Sequence, residues 1–232
     1  MRGVELLACN RELELATAEE RLAFALDRFG DGVLFTSSFG AGSAVLLHLW
    51  SRVARRLPVV FIDTGFLFEE TLAYRDELVA RLGLTLRVVR PEAPRSAFLA
   101  QYGDDVMKKD PDFCCARNKV APLAPLLATA KAWVTGLRRD QSDARRDTPI
   151  LLPTEEGPIK VHPLATMTAP EVGPYMVAHG IPDHPLRPRR YLSIGCTPCT
   201  RAVEPGEAER AGRWAGTEKT ECGLHPDLRR VS

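Results

Sequence analysis

The apolar positions of this chain change period several times, and each change marks an element. From Glu12 to Phe29, the residues Leu15, Leu22, Phe24, Ala25, Leu26 and Phe29 recur among charges at helical spacing, which predicts one amphipathic helix. Val33-Leu-Phe-Thr36 reads as a short strand, Ser37-Ser-Phe-Gly-Ala-Gly42 as a small-residue turn, and Ser43-Ala-Val-Leu-Leu-His-Leu-Trp50 as the start of a helix with serine at its N-cap. The alternation returns with a strand over Pro58–Ile62, a turn at Asp63-Thr-Gly65, a helix from about Phe68 to Leu82 and a strand over Leu84–Val89. A helix from Cys115 to Ala130 then leads into a strand at Ala132–Thr135. Strands separated by helical segments of this length need crossover connections, so the pattern predicts an α/β fold, a parallel sheet flanked by helices on both faces.

Beyond Gly136 prolines recur at 149, 153, 158, 163, 170, 174, 182, 185, 188, 198 and 205, a density that excludes long regular elements. Short strands are expected near Ile150 and at Ile159–Val161, one helix near Pro170–His179, and ordered loops elsewhere. The sixteen residues from Thr217 onward are polar, which predicts a mobile tail. The organisation expected is therefore one α/β nucleotide-binding domain over residues 1–216 and a mobile tail over 217–232.

Composition narrows the partners. With 232 residues, 45% of them hydrophobic, the chain can build one sizeable core. Its 31 basic and 30 acidic side chains leave a net charge of +1, too weak a field to hold nucleic acid or an anionic membrane surface. A small-molecule substrate is the expectation that remains. The first dozen residues mix charges without an apolar run of signal-peptide type, and no stretch approaches the roughly 20 apolar residues of a membrane span. Grouped cysteines without a secretory signal predict a reducing cytoplasm. Oligomeric state is not legible, and a homo-oligomer is compatible with the sequence.

Three groups of residues carry candidate chemistry. Ser37, Ser38, Gly40, Gly42 and Ser43 lie between a strand and a helix, where backbone N–H groups and a helix N-terminus bind phosphate or sulfate. The loop matches neither G-x-G-x-x-G nor the Gly-Lys-Ser/Thr ending of a P-loop, and its glycines would equally let helix and strand pack closely. Cys196-Thr-Pro-Cys199 has the gap that lets two sulfurs reach one centre, and Cys114-Cys115 can join them only at the end of an element, where the backbone twists. An iron–sulfur cluster, a zinc site or free thiols with Cys196 and Cys199 as a redox pair all remain open at this level. Cys222 stands apart, beside Lys219 and His225, whose charges would favour its thiolate, and beside Glu221, which would oppose it. Arg138, Arg139 and Arg145 leave the C-terminal edge of the sheet, and Lys119, Arg201, Arg210 and Arg213 follow the thiol motifs. Cys9 has no partner in the pattern and reads as a small core or surface residue.

Taken in order, Ser37-Ser-Phe-Gly-Ala-Gly-Ser43, Phe61-Ile-Asp-Thr-Gly65, Lys109-Asp-Pro-Asp-Phe-Cys-Cys115 with Lys119, Trp133-Val-Thr-Gly-Leu-Arg-Arg-Asp-Gln-Ser142, Ser193-Ile-Gly-Cys-Thr-Pro-Cys-Thr-Arg201, Gly212-Arg-Trp214 and Glu221-Cys-Gly-Leu-His225 strongly resemble the assimilatory sulfonucleotide reductases. The likeness runs from about Thr36 to His225 and is greatest to the cluster-containing adenylyl-sulfate (APS) branch. The branch that uses 3′-phosphoadenylyl sulfate (PAPS) typically lacks the cluster cysteines.

The resemblance implies a PP-loop fold related to the adenine nucleotide alpha hydrolases, a 4Fe-4S cluster on Cys114, Cys115, Cys196 and Cys199, and Cys222 as nucleophile. It implies that Lys119, Arg210, Arg213 and His225 contact the phosphosulfate, that the loop with Ser37, Ser38, Gly40 and Ser43 holds the adenylyl part together with Gly136 and Arg145, and that thioredoxin is the reductant. Attack of a thiolate on the sulfur of adenylyl sulfate would displace AMP and leave a cysteine S-sulfonate. The chain departs from the family pattern at Asn118, where an arginine is common, at Met167, where a tryptophan is common, and at Ala215-Gly216, which shortens a tryptophan-rich stretch. The competing readings are a PAPS reductase and a zinc-stabilised, non-enzymatic binding module.

Overall fold

The structure is a computed structural model that describes residues 3–155 and 157–225. The part of the expected tail at 226–232 lies outside the described residues. The single helix expected over Glu12–Phe29 is two helices, α1 (Gly3–Glu14) and α2 (Ala18–Phe29). The break comes at Thr17, whose hydroxyl accepts from the Glu20 N–H (3.2 Å) while the Glu20 carboxylate accepts from the Thr17 N–H (2.7 Å). This reciprocal cap starts a new helix, and Leu15, counted as part of one apolar stripe, lies exposed in the joint.

The remaining regular elements are β1 (Val33–Thr36), α3 (Ala44–Val53), β2 (Val59–Ile62), α4 (Glu69–Leu82), β3 (Leu86–Val89), α5 (Arg95–Tyr102), α6 (Val106–Lys109), α7 (Pro111–Cys115), α8 (Ala121–Leu127), β4 (Ala132–Val134), β5 (Leu151–Leu152), β6 (Ile159–Val161) and α9 (Ala169–Ala178). The strands form one sheet in the order β3-β2-β1-β4-β6-β5. All neighbours are parallel except β5 and β6, so the expected parallel sheet carries one antiparallel edge strand. After β1 the chain builds outward through β2 and β3, and β4 returns to the other side of β1. Sheets of this kind bind ligand beyond the carboxyl ends of the strands at such a reversal, and the loops after β1 and β4 both open there.

Burial holds this frame in place. Phe35 of β1 packs on Trp50 of α3 with ring centroids 4.8 Å apart, and Leu22, Leu46, Leu47, Phe61, Tyr74, Leu78 and Val134 are fully enclosed around them. Each such side chain contributes about 1.5–3 kcal/mol relative to exposure. Cys9 packs, partly buried, against this same core. A smaller cluster joins Phe66, Phe98, Val106, Met107 and Cys114, using α5 and α6, which are too short to show a helical period.

The helix expected from Cys115 to Ala130 begins earlier and is not uniform. Asp110 Oδ1 accepts from the Phe113 N–H (2.8 Å) and Pro111 follows at the first helical position, which fixes the start of α7. Between α7 and α8 the residues Ala116–Val120 form a π-turn. Pro122 cannot donate to the Asn118 carbonyl and its ring crowds it, so the turn widens there. Cys114 and Cys115 thus sit not at a free end but where the helix passes from α7 into the π-turn. Among the described residues no helix is long and apolar enough to cross a membrane.

Candidate active site

The loop after β1 is held open by its own side chains. The Ser37 hydroxyl accepts from the Phe39 N–H (3.1 Å), and Phe39 takes a positive φ of 50° while its ring is buried edge-on against Phe61. Such a backbone costs of order 1–3 kcal/mol and persists where packing over-determines it. Ser43 stands at the N-cap of α3 as expected, but its side chain makes no capping bond, so it leaves the first-turn N–H groups of the helix available to a ligand.

A cavity of about 220 Å³ opens at this edge of the sheet. Ser37, Ser38, Gly40 and Ser43 line it from the first loop, and Gly136 and Arg145 from the segment after β4. Lys119, Arg210, Arg213, Cys222 and His225 complete the wall, so residues far apart in sequence meet at one place. Arg213 lies over Trp214, 4.4 Å from its ring centroid, and presses so closely on Gly195 that a Cβ there would fall 2.3 Å from Arg213 Nη2. A side chain beside Cys196 would push that guanidinium out of its present position. Arg210 Nε and Arg213 Nε are both buried without a hydrogen-bond partner. Burial, then the neighbouring charge of Arg145, holds the Arg210 pKa down to about 10, so it stays charged at neutral pH. Buried guanidinium donors left unpaired beside one cavity are what an anion would satisfy.

Four thiols meet on the adjoining side. Cys114 and Cys115 are buried at the end of α7, and Cys196 and Cys199 flank the tight turn Thr197–Cys199. That turn is docked by the Thr197 N–H donating to the Phe66 carbonyl (2.7 Å), and Thr64 Oγ1 lies 3.3 Å from Cys196 Sγ. Burial, then the charges of Cys115, Cys196 and Cys199, pushes the Cys114 thiol up to about 12. Cys199 is raised too, by burial and then by Cys196 and Cys115, against the opposing charges of Lys119 and Arg213. All six cysteines are free of disulfides. Among the described residues no group of three or more His, Cys, Asp or Glu side chains forms a site for a single metal ion. The donor set itself, sulfur only, with Cys114 and Cys199 raised in part by the neighbouring thiols, fits a thiolate-bound iron–sulfur centre, whose positive iron would relieve that repulsion. Asn118, the departure from the family pattern, is buried and donates to the Cys114 carbonyl (3.0 Å), with its Nδ2 3.6 Å from Cys114 Sγ.

Cys222 behaves differently. Burial would raise its pKa, but Lys119, the Leu224 N–H and Arg213 together outweigh burial and the opposing Glu221, leaving it below the ordinary thiol value. Lys119 is partly buried in the cavity wall; burial opposes its charge, yet the thiolates of Cys196, Cys222 and Cys115 raise its pKa on balance. The two cations expected from sequence proximity are not the ones at work. Lys219 points away, donating to Asp112 Oδ1 (2.5 Å) and the Pro111 carbonyl (3.4 Å). His225 stacks on Trp133 with planes 10° apart, and burial, then the charges of Lys160 and Arg145, holds it neutral.

The tail from Thr217 to His225 is docked on the body in this structure. Lys219 and Glu221 are buried, and a Cβ on Gly223 would meet Cys115 Cβ at 3.3 Å. Glu221, which sequence reasoning treated only as a charge beside Cys222, instead accepts from Arg145 and Arg210. Lys160 was also missed: it is buried, lies over Trp133 and donates to the Leu224 carbonyl (3.4 Å). Its place in the middle of an apolar strand was the available signal.

Comparison with solved structures defines the class. The phosphoadenylyl-sulfate (PAPS) reductase of Candida auris, solved as a phosphate complex, superposes with a TM-score of 0.75 at 24% identity, covering 88% of this chain and 98% of that one. The architecture is therefore the α/β fold of that enzyme and of the PP-loop adenylyltransferases. Sequence comparison then gives the family. Residues 32–202 match the phosphoadenosine phosphosulfate reductase domain. The adenosine 5'-phosphosulfate reductase of Streptomyces coelicolor is 45% identical over 93% of this chain and 91% of its own length. The phosphoadenosine 5'-phosphosulfate reductase of Gloeobacter violaceus is 42% identical over 93% and 91%. The chain belongs to the sulfonucleotide reductase family.

Proposed function

We propose that this protein reduces adenylyl sulfate to sulfite and AMP in sulfate assimilation, with Cys222 as nucleophile and thioredoxin as reductant. The observation that carries this reading is the presence of a thiol of lowered pKa in one cavity with the serine-glycine loop and the unpaired donors of Arg210 and Arg213. The name of the Streptomyces coelicolor relative supports adenylyl sulfate as the substrate.

In this reading Ser37, Ser38, Gly40, Ser43 and Gly136 bind and orient the adenylyl part, while Lys119, Arg210 and Arg213 hold the phosphosulfate. The Cys222 thiolate uses its electron pair to form a bond to the sulfate sulfur. The bond from that sulfur to the AMP phosphoryl oxygen breaks, its electron pair leaving with AMP, and the cations clamp the charge that develops on the leaving phosphate. Cys222 then carries an S-sulfonate. A thiolate of thioredoxin attacks Cys222 Sγ and expels sulfite, and the second thiol of thioredoxin resolves the mixed disulfide. The dithiol becomes a disulfide, and its two electrons account for the reduction of sulfate sulfur to sulfite. Because Cys222 must first meet substrate and then a partner protein, the tail over 217–232 takes at least two positions during turnover.

Cys114, Cys115, Cys196 and Cys199 would hold a 4Fe-4S cluster, which when bound supplies a fixed charge that relieves the thiolates and steadies Lys119 and the field around Cys222. A reducing compartment, the cytoplasm, belongs to this reading because its chemistry needs Cys222 as a free thiolate. Incubation with adenylyl sulfate and no reductant should release one AMP per chain and add a sulfonate mass to the Cys222 peptide, with thioredoxin then liberating sulfite. Preferred turnover of PAPS, the substrate named for the Gloeobacter relative, would move the assignment to the other branch.

A further inference from the structure

We propose that Glu221 is a latch that sets Cys222 in register over the cavity, and that Arg145 acts on the reaction by receiving this latch rather than by touching the nucleotide. The inference deepens the functional reading above and rests on it for the role of Cys222.

The geometry is that of a closed buried pair. Glu221 is 1% exposed. Its Oε2 accepts from Arg145 Nε and its Oε1 from Arg145 Nη2, both at 2.7 Å, a two-pronged contact. The third donor group of Arg145, Nη1, is taken by the Gln141 side chain. Each of the three guanidinium nitrogens therefore donates one N–H to protein while the tail is docked, and the edge formed by Nε and Nη2 is closed by Glu221. The same Oε1 accepts from the backbone N–H of Cys222 (2.7 Å), so the carboxylate fixes the position of the nucleophile's own main chain. Burial works against the Glu221 charge, and the Arg145 pairing overrides it, holding the carboxyl down to about 2.

Arg210 connects the latch to the substrate. Its Nη2 donates to Glu221 Oε1 (2.8 Å), while its Nε is buried without a partner. One guanidinium can thus hold the latch with one nitrogen and an anion with another. An anion on Nε would anchor Arg210, and through it the tail, at the moment when the thiolate has to be in place. The polar composition of 217–225 is consistent with this arrangement: the segment docks through ion pairs, Glu221 with Arg145 and Lys219 with Asp112, rather than through a large apolar face.

The test separates register from substrate contact. In Glu221→Gln and Arg145→Met, prepared with their iron, backbone amide exchange in the peptide holding Cys222 should be faster than in wild type by about tenfold or more, and the double variant should exchange no faster than the worse single one. At saturating adenylyl sulfate the S-sulfonate should form about tenfold or more slowly in each single variant, again without further loss in the double, while AMP affinity changes by less than about threefold. Wild-type exchange in either single variant would overturn the proposal. So would losses that multiply in the double variant, or a tenfold weaker AMP affinity in Arg145→Met. Exchange needs no substrate, so it decides the latch even if wild type forms no adduct with adenylyl sulfate, a result that would sink the functional reading alone.

Discussion

Cys114 and Cys222 both feel burial as a force that raises their pKa, yet one ends up at about 12 and the other below its ordinary value. The difference lies in the charges around them. Cys114 faces other thiols, so ionisation nearby makes its own harder, and the Asn118 amide offsets this only in part. Cys222 faces Lys119, Arg213 and the Leu224 N–H, so ionisation is rewarded. The first environment holds its proton strongly, and the second favours a thiolate, which is what the proposed roles of cluster ligand and nucleophile each require. Lys119 sits between them, its charge favoured by thiolates of both regions.

The strongest way to break this division of labour is to remove a sulfur from each side. Cys222→Ser should lower AMP release by at least about 10³-fold while leaving iron content and visible absorption unchanged. Cys196→Ser should do the reverse in its first effect, losing iron and absorption before any change at Cys222. An S-sulfonate recovered on any cysteine other than Cys222, or an iron-free Cys222→Ser, would erase the distinction.

A smaller change should come from Lys119→Met, because it removes the first cation that offsets burial at Cys222. The sign follows from the balance: burial then dominates, the thiol pKa rises, and at neutral pH less thiolate is present. Adduct formation should slow about 10- to 100-fold near pH 7 and recover by about tenfold per pH unit until the new pKa is passed. A pH–rate profile of unchanged midpoint would show that Lys119 serves only the substrate or the thiol quartet.

The two regions also differ in how far they could be read from the chain. The quartet was legible because its motifs are local: Cys196-x-x-Cys199 forms a turn by itself, and Asp110-Pro111 starts the helical stretch whose first turns carry Cys114-Cys115. The sheet was legible for the same reason, its strands being short apolar runs bounded by turns. Around Cys222 the decisive contacts are remote. Glu221 and Arg145 are 76 residues apart and Lys219 and Asp112 are 107 apart, so nearness in sequence pointed to the wrong cations. The division at Thr17 was written in Thr17-Ala-Glu-Glu20, but a continuous apolar stripe outweighed it. The π-turn over Ala116–Val120 depends on how Pro122 is accommodated, which periodicity does not encode.

The smallest effect should come from the quartet side alone. Asn118 is buried, donates to the Cys114 carbonyl at 3.0 Å and lies 3.6 Å from its sulfur, and both of these contacts are to Cys114 rather than to Cys222. Asn118→Ala removes one neutral hydrogen bond and a weak N–H···S contact and leaves the Cys114 carbonyl, already in a helix, with less support. The cost should be about 1 kcal/mol, a fall in Tm of about 2–4 °C for a chain of this size. Because that amide also eases ionisation of Cys114, iron should be lost to a chelator somewhat faster than from wild type. The midpoint of the pH–rate profile for S-sulfonate formation should stay where it is, since Lys119 and Arg213 are untouched. A shift of that midpoint in Asn118→Ala would mean that the quartet tunes the nucleophile directly, and the two thiol environments would have to be treated as one.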